Sequence, residues 1–226
     1  MSIKIEGRCM TENIDIELNQ EKVNGQYGYR ILKRSFDIIA SAIGLVVLSP
    51  VFLAVAIAIK CDDGGPVFYD QIRIGKNGKK FKMYKFRSMR VNAEDEIEKL
   101  QEHSEVDGAM FKMKNDPRVT RVGKFIRKTS IDEFPQLLNV LLGQMSIVGP
   151  RPPLPREVAD YTQYDKQRLY VKPGCTGLWQ VTARNSVGFQ EMVNIDLDYI
   201  QRRSIWLDLK IMFKTVKVIF VPNEAY

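Results

Sequence analysis

Histidine is almost missing from this 226-residue chain: it occurs once, as His103, in a charged stretch that reads as solvated surface. A histidine-based zinc site or a Ser-His-Asp triad has very little to be built from. Cysteine is scarce as well. Cys9, Cys61 and Cys175 lie far apart with no C-x-x-C spacing; an odd, scattered set argues against a disulfide framework and for reduced thiols facing a cytosol. Neither the P-loop pattern nor G-x-G-x-x-G occurs, so nucleotide binding through those phosphate loops is unsupported. There is no internal repeat, no low-complexity tract and no aromatic-basic RNA-binding signature. Positive charge, by contrast, is in excess. Thirty-four Lys and Arg against 27 Asp and Glu leave +7 and a pI near 9.2, which directs attention to anionic partners: nucleic acid, acidic lipid or phosphorylated substrates. The length allows one domain plus additions, or two small domains.

The loudest feature present is "FDIIASAIGLVVLSPVFLAVAIAIK". From Ile38 to Ile59 no residue is charged, a run of about 33 Å as straight helix against a hydrocarbon core of about 30 Å. It is too long, and begins too far into the chain, for a signal peptide. Pro50 near its centre removes a hydrogen bond and predicts a kink, with Ser49 placed to bond back to a carbonyl one turn earlier. Cations flank both ends: Arg30, Lys33 and Arg34 before, Lys60, Arg73 and Lys76 after. The positive-inside rule therefore selects no outside end. A kinked span and a helix-break-helix hairpin that enters and leaves by one face both fit these residues.

The first 29 residues read as a poorly ordered or peripheral lead-in. After the apolar run, alternation and glycine turns predict a β-hairpin over Val67–Arg73 and Lys79–Phe86, turning at Lys76-Asn77-Gly78. Residues 92–107 are strongly acidic and predict an exposed helix; cations then dominate from Lys112 to Lys128. The segment "TSIDEFPQ" follows. Ser130 and Glu133 fit an S-x-x-E capping box, and the apolar spacing from Ile131 onward predicts a helix that ends at Gly143. "SIVGPRPPLP" is extended and proline-stiffened. "KPGCTGLWQVTARN" reads as a turn, a short strand and a loop presenting Arg184. Residues 205–221 form a basic amphipathic helix with Lys210, Lys214 and Lys217 on one stripe, suited equally to an acidic membrane surface or to the protein's own core.

Asp132 and Glu133 are the residues on which chemistry can rest. Adjacent positions on a helix do not face one another, so the pair cannot share a proton as an aspartic-protease dyad does. They can divide the work. A carboxylate at a helix start beside Arg127 is expected to stay ionised, usable as a nucleophile on phosphorus or as a Mg²⁺ ligand beside a diphosphate. Arg127, Arg151 and Arg184 are candidates to clamp phosphate oxygens.

Taken in order, "KRSFDIIASAIGLVVLSP", "FRSM", "DPRVTRVGKFIRKTSIDEFPQLLNVLLGQMSIVGPRP" and "KPGCTGLWQV" resemble the bacterial sugar transferases, over about Tyr29 to Val221. These are monotopic polyprenyl-phosphate phosphoglycosyl transferases. The resemblance implies an α/β fold, mostly α with a small β-hairpin. A lead-in over 1–29 precedes a re-entrant membrane hairpin over 30–60, then a cytosolic catalytic domain over 61–226 with amphipathic interfacial helices. It implies transfer of a sugar 1-phosphate from a UDP-sugar to undecaprenyl phosphate with Mg²⁺, releasing UMP, at the cytoplasmic face of the bacterial inner membrane. Asp132 matches the nucleophile of a ping-pong cycle and Glu133 its metal-binding partner. Ser49-Pro50 matches the break that makes the hairpin re-entrant, and Lys33-Arg34 the basic pair at the membrane surface. Arg127, Arg151 and Arg184, with Lys85 and Arg87 around "FRSM", fall in motifs used around phosphates and nucleotide. The chain resembles the compact form of the family, and Ala183 stands where many members have glycine. No nucleic acid is implied, and self-association stays open. The competing reading is a membrane-anchored adaptor whose basic blocks bind acidic lipid or nucleic acid.

Overall fold

The computed structural model describes residues 4–5, 8–9, 16–93, 116–183 and 187–220. The acidic run from 94 onward, His103 and Arg184 lie outside them. Among the described residues the protein is mostly helical, with three small two-stranded sheets.

A minimal antiparallel pair, β1 (Lys4–Ile5) and β2 (Arg8–Cys9), precedes α1 (Gln20–Gly25). The expectation of a peripheral lead-in is corrected here. Ile16, Leu18 and Val23 are buried in the main core with Val193, Leu197 and Ile200. Two backbone amides fix the strap: Ile16 N donates to the Tyr164 hydroxyl and Leu18 N to Gln167 Oε1.

The apolar run forms two helices, α2 (Tyr27–Val47) and α3 (Ser49–Asp63), bent by 56° at Leu48. Pro50 falls in the first turn of α3, where its missing N–H has no intrahelical partner to lose. Ser49 Oγ donates to Val46 O at 2.7 Å across the break, as its sequence position predicts. Neither helix alone is long and apolar enough to cross a membrane; the bent pair passes that test together. The helical arms extend beyond residues 30–60 at both ends, because the flanking residues keep helical hydrogen bonding up to the left-handed Gly64.

The distribution of polarity on α2 is inverted. Its buried residues are Asp37 and Ser41, whereas Ile31, Ile39, Ile43 and Val46 are exposed. Asp37 Oδ1 accepts hydrogen bonds from Ser146 Oγ at 3.1 Å and Ile147 N at 3.0 Å. Arg34 donates to the carbonyls of Val140 (2.6 Å) and Leu141 (2.9 Å).

The predicted β-hairpin is present as β3 (Phe68–Ile74) and β4 (Lys80–Phe86), turning at Asn77 and Gly78 with positive φ. After Thr120, whose hydroxyl caps Gly123 N, comes α4 (Arg121–Lys128). Gly123 lets this helix lie against the chain at Ser88, since a Cβ there would sit 1.9 Å from Ser88 O. A 3₁₀ turn (Ile131–Glu133) and α5 (Gln136–Leu141) follow. β5 (Ser146–Val148) pairs in parallel with β6 (Gly174–Thr176), with α6 (Pro155–Ala159) and α7 (Gln163–Lys166) between them. The predicted short strand is β6, and the segment after it, read as the end of that strand and a loop, is α8 (Leu178–Thr182). Leu178, only 3% exposed, anchors this helix in the core.

The last helices are α9 (Phe189–Arg202) and α10 (Ile205–Phe220). The final helix packs on the protein's own core through Leu207 and Ile211, while Trp206, Phe213 and Val216 are exposed.

Asn139, fully buried on α5, ties that helix to β4. It donates to Lys82 O (2.6 Å) and Gln144 Oε1 (2.7 Å) and accepts from Tyr84 N (3.0 Å). Replacing it with alanine strands buried backbone groups of β4. A loss of about 2–4 kcal/mol is expected, measurable as a lowered midpoint of denaturant unfolding.

Candidate active site

Asp132 and Glu133 sit on the turn between α4 and α5, and each neighbouring helix is held by one arm of the apolar hairpin. Asp62, near the end of α3, accepts from Val122 N at 3.1 Å at the start of α4. Arg34 on α2 caps the end of α5. Gly143, at φ +80°, terminates that helix as its position predicts.

The capping box does not form. Ser130 is in the left-handed region (φ 56°) and its side chain caps nothing. The predicted single helix is a 3₁₀ turn followed by α5, because Pro135 supplies no N–H and opens the new helix. A non-glycine residue held left-handed costs about 1–2 kcal/mol, and such strain concentrates where a structure fixes functional groups.

Asp132 is buried, with 9% of its surface exposed. Burial raises its carboxyl, the Lys85 ammonium lowers it, Glu133 raises it and Arg127 lowers it; the outcome is a pKa of about 6. The expectation of a firmly ionised group is thereby corrected, since desolvation outweighs the cations. Glu133 goes the other way. Burial opposes its charge, but Lys85, with Arg151 and Arg73, holds it below the ordinary carboxylate range. Lys85 Nζ contacts Glu133 Oε1 at 2.6 Å. The pair thus offers one permanent anion beside one carboxylate poised near neutrality.

Arg127, on the last turn of α4, has a buried Nη1 with no hydrogen-bond partner. A buried guanidinium donor left open is costly, and an incoming oxyanion would satisfy it. Arg151 follows β5 in the Gly-Pro-Arg-Pro-Pro turn, and Arg168 Nη2 reaches its carbonyl at 3.5 Å. Arg168 is itself fixed by Asp196 (2.9 Å) and the Tyr161 hydroxyl (2.6 Å). Arg87 is committed elsewhere. Its guanidinium pairs with both Asp63 oxygens and donates to the carbonyls of Pro66 and Met89, tying the end of α3 to the end of β4. Lys33 and Arg34 are also engaged within the protein, Lys33 with Asp208 at 2.8 Å. Arg184 lies outside the described residues.

Sequence reasoning missed Arg73. Buried on β3, it donates to Pro152 O at 2.9 Å while Ile74 N donates to Pro153 O at 3.0 Å, so β3 holds the turn that carries Arg151. The signal was available. Period-two alternation puts Tyr69, Gln71 and Arg73 on one strand face, and the register sets Tyr69 opposite Lys85. Cys175 is not a nucleophile here, because burial and the nearby Glu133 push its thiol up.

Two carboxylates at adjacent positions match what Mg²⁺ takes when substrate phosphates and water complete its octahedron. Among the described residues no group of three or more His, Cys, Asp and Glu is assembled for a metal. The two carboxylates are of the donor type that Mg²⁺ takes.

The family model for bacterial sugar transferases matches residues 28–222, and the chain belongs to that family. It is 48% identical over 201 residues to the galactosyl transferase CpsE of Streptococcus agalactiae, covering 88% of this chain and 44% of that protein. The undecaprenyl-phosphate galactose phosphotransferase of Salmonella typhimurium is 45% identical, with 87% and 42% covered. The exopolysaccharide production protein ExoY of Rhizobium meliloti is 42% identical, with 86% and 88% covered. The chain thus spans less than half the length of the first two relatives and most of the third.

Carbon-detected carboxyl NMR checks the electrostatics directly. The Asp132 carboxyl is expected to titrate near 6, and Lys85→Met is expected to move both carboxyl midpoints upward, since the ammonium lowers each. An unchanged Asp132 midpoint would show that Lys85 is too far away to matter.

Proposed function

We propose that the protein moves a sugar 1-phosphate from a UDP-sugar to undecaprenyl phosphate at a membrane surface, as the first membrane step of an extracellular or surface glycan. The observation that carries this reading is the coupling of two features. A buried carboxylate lies beside Lys85 and Arg127, and both helices flanking it are fastened to a hairpin whose exposed side is apolar. Isoleucine and valine outward with aspartate and serine inward is the arrangement expected of a helix surrounded by hydrocarbon. The names of the relatives support the substrates, for one is a phosphotransferase of undecaprenyl phosphate.

In the first half-reaction a UDP-sugar lies with its diphosphate between Asp132 and the cations. Asp132 attacks the phosphorus that bears the sugar. The bond from that phosphorus to the bridging oxygen breaks, UMP leaves with the bond's electron pair, and the phosphosugar remains as an acyl phosphate ester on Asp132. In the second half-reaction an undecaprenyl phosphate oxygen attacks the same phosphorus, giving the diphosphate-linked lipid and freeing the carboxylate. Lys85 keeps Glu133 ionised; Arg127 and Arg151 neutralise phosphate oxygens as charge shifts toward the leaving group. A Mg²⁺ ion held by Asp132 and Glu133 would neutralise the diphosphate. With the pair lying shallow in the bilayer, the 56° bend at the Ser49-Pro50 break lets both arms leave by one face. The cost of drawing a polyprenyl chain out of the bilayer, about 0.8 kcal/mol per CH₂, explains why the site is tied to such a hairpin.

Asp132→Asn is expected to lower UMP release by at least about 10³-fold, the loss typical of removing a covalent nucleophile, while membrane association persists. Normal turnover would remove Asp132 from the mechanism. Rate is also expected to fall as pH drops below about 6, where Asp132 takes up its proton. Topology is read from single cysteines placed before Lys33 and after Lys60 in a Cys9→Ser/Cys61→Ser/Cys175→Ser background. Labelling of both from the cytoplasmic side is expected, and labelling from opposite sides would establish a kinked span instead.

A further inference from the structure

The end of the molecule where α2 begins carries a concentration of positive charge that the reaction does not use. Arg30 Nη1 donates to Asn24 O at 2.6 Å and Lys76 Nζ to Asn24 Oδ1 at 2.7 Å. Arg203 reaches Val23 O and, through Nε, Gln26 Oε1 at 2.8 Å. Arg34 and Lys172 converge beside Gly143, where a Cβ would lie 3.2 Å from one and 3.4 Å from the other. Among the described residues none of these five cations forms an ion pair with a carboxylate. The acids nearest in effect are Asp37, acting on Lys172, and Asp208, acting on Arg203. Burial, then mutual repulsion, lowers the proton affinity of Lys76 and Lys172. Uncompensated like charge of this density destabilises a fold unless an anion joins it.

Its location distinguishes it from the active site. Lys76 is in the turn of the β3–β4 hairpin, whereas Lys85 is near the other end of β4. From Lys80 to Lys85 the strand alone spans about 17 Å. Tyr27, 69% exposed, lies under the Arg30 guanidinium at 5.7 Å, and Trp206, 68% exposed, stands in the first turn of α10, three residues after Arg203. Exposed aromatics of this kind at the start of an apolar helix mark the headgroup plane of a bilayer.

We propose that Arg30, Lys76 and Lys172, backed by Arg34 and Arg203, form a phosphate oxyanion site that takes the headgroup of an acidic glycerophospholipid where the hairpin enters the membrane. Carbonyls hold the cations in place without neutralising them, and a phosphate diester supplies the missing negative charge. The site fixes the depth and tilt of α2 at its membrane entrance. It stands independently of the chemistry assigned to Asp132.

The test uses the full chain carrying Trp179→Phe in neutral detergent, so that Trp206 alone reports by fluorescence, during titration with short-chain phosphatidylglycerol, phosphatidylcholine or inorganic phosphate. Saturation by phosphatidylglycerol is expected at concentrations at least about 10-fold below phosphatidylcholine, whose choline cancels the phosphate charge. Lys76→Gln/Lys172→Gln is expected to weaken phosphatidylglycerol binding about 30-fold, on a scale of about a factor of five per basic residue near an anionic surface. Lys76→Arg/Lys172→Arg should retain it. If the double glutamine protein melts early, Lys76→Gln alone, about fivefold weaker, carries the comparison. Saturation by inorganic phosphate at the same concentration as the lipid supports the oxyanion site but assigns it to a soluble phosphate. Equal response to the two lipids, or wild-type affinity in the glutamine variants, overturns the proposal.

Discussion

A helix whose apolar side faces outward can be attached to the rest of a protein only through what lies on its other side. In α2 that side carries polar contacts: Lys33 and Tyr29 reach Asp208 on α10, and two others lead toward the site, Asp37 to the start of β5 and Arg34 to the end of α5. The remaining geometry follows from them. β5 leads directly into the turn bearing Arg151, and α5 leads back to Glu133 and Asp132. The second arm repeats the arrangement, with Asp62 holding α4 and Asp63 holding Arg87. The turn bearing Asp132 and Glu133 is thus suspended between two helices, each fastened to one arm of the hairpin. Its position relative to the hairpin is set by these hydrogen bonds, where an unmade buried partner is costly.

The same placement accounts for the electrostatics. Asp132 is packed inside the protein away from bulk water, and burial alone would hold its carboxyl well above the ordinary carboxylate range. Lys85 and Arg127 restore part of the charged state. A nucleophile needs its lone pair available without being so strongly solvated that it will not react. A group near half-titration below neutral pH satisfies both demands. Glu133 does not share this behaviour because its contact with Lys85 is direct. Two neighbours of nearly the same chemistry are driven apart by what each touches.

Much of this was legible in the sequence, and the failures have identifiable causes. The β-hairpin was readable because alternation and a glycine turn are local signals, and the break because proline and serine act on their own backbone. The capping box failed because its spacing competes with Pro135, which starts a fresh helix and leaves Ser130 left-handed. The packing of Ile16 and Leu18 was not readable, since their partners Tyr164 and Gln167 lie far along the chain. Arg87 and Lys33 looked like free cations; only the tertiary structure reveals Asp63 and Asp208 as their partners. Asp132 could be located from sequence, but its burial, and so its pKa, could not.

The claim on which the account turns is that the Asp132 carboxylate itself carries the cargo between a soluble donor and a lipid. Intact-protein and peptide mass measurement after brief exposure to the UDP-sugar alone, with lipid acceptor withheld, addresses it most directly. The account expects a sugar-phosphate mass on the peptide containing Asp132, discharged when undecaprenyl phosphate is added. An unmodified peptide in protein that forms product once both substrates are present would contradict it.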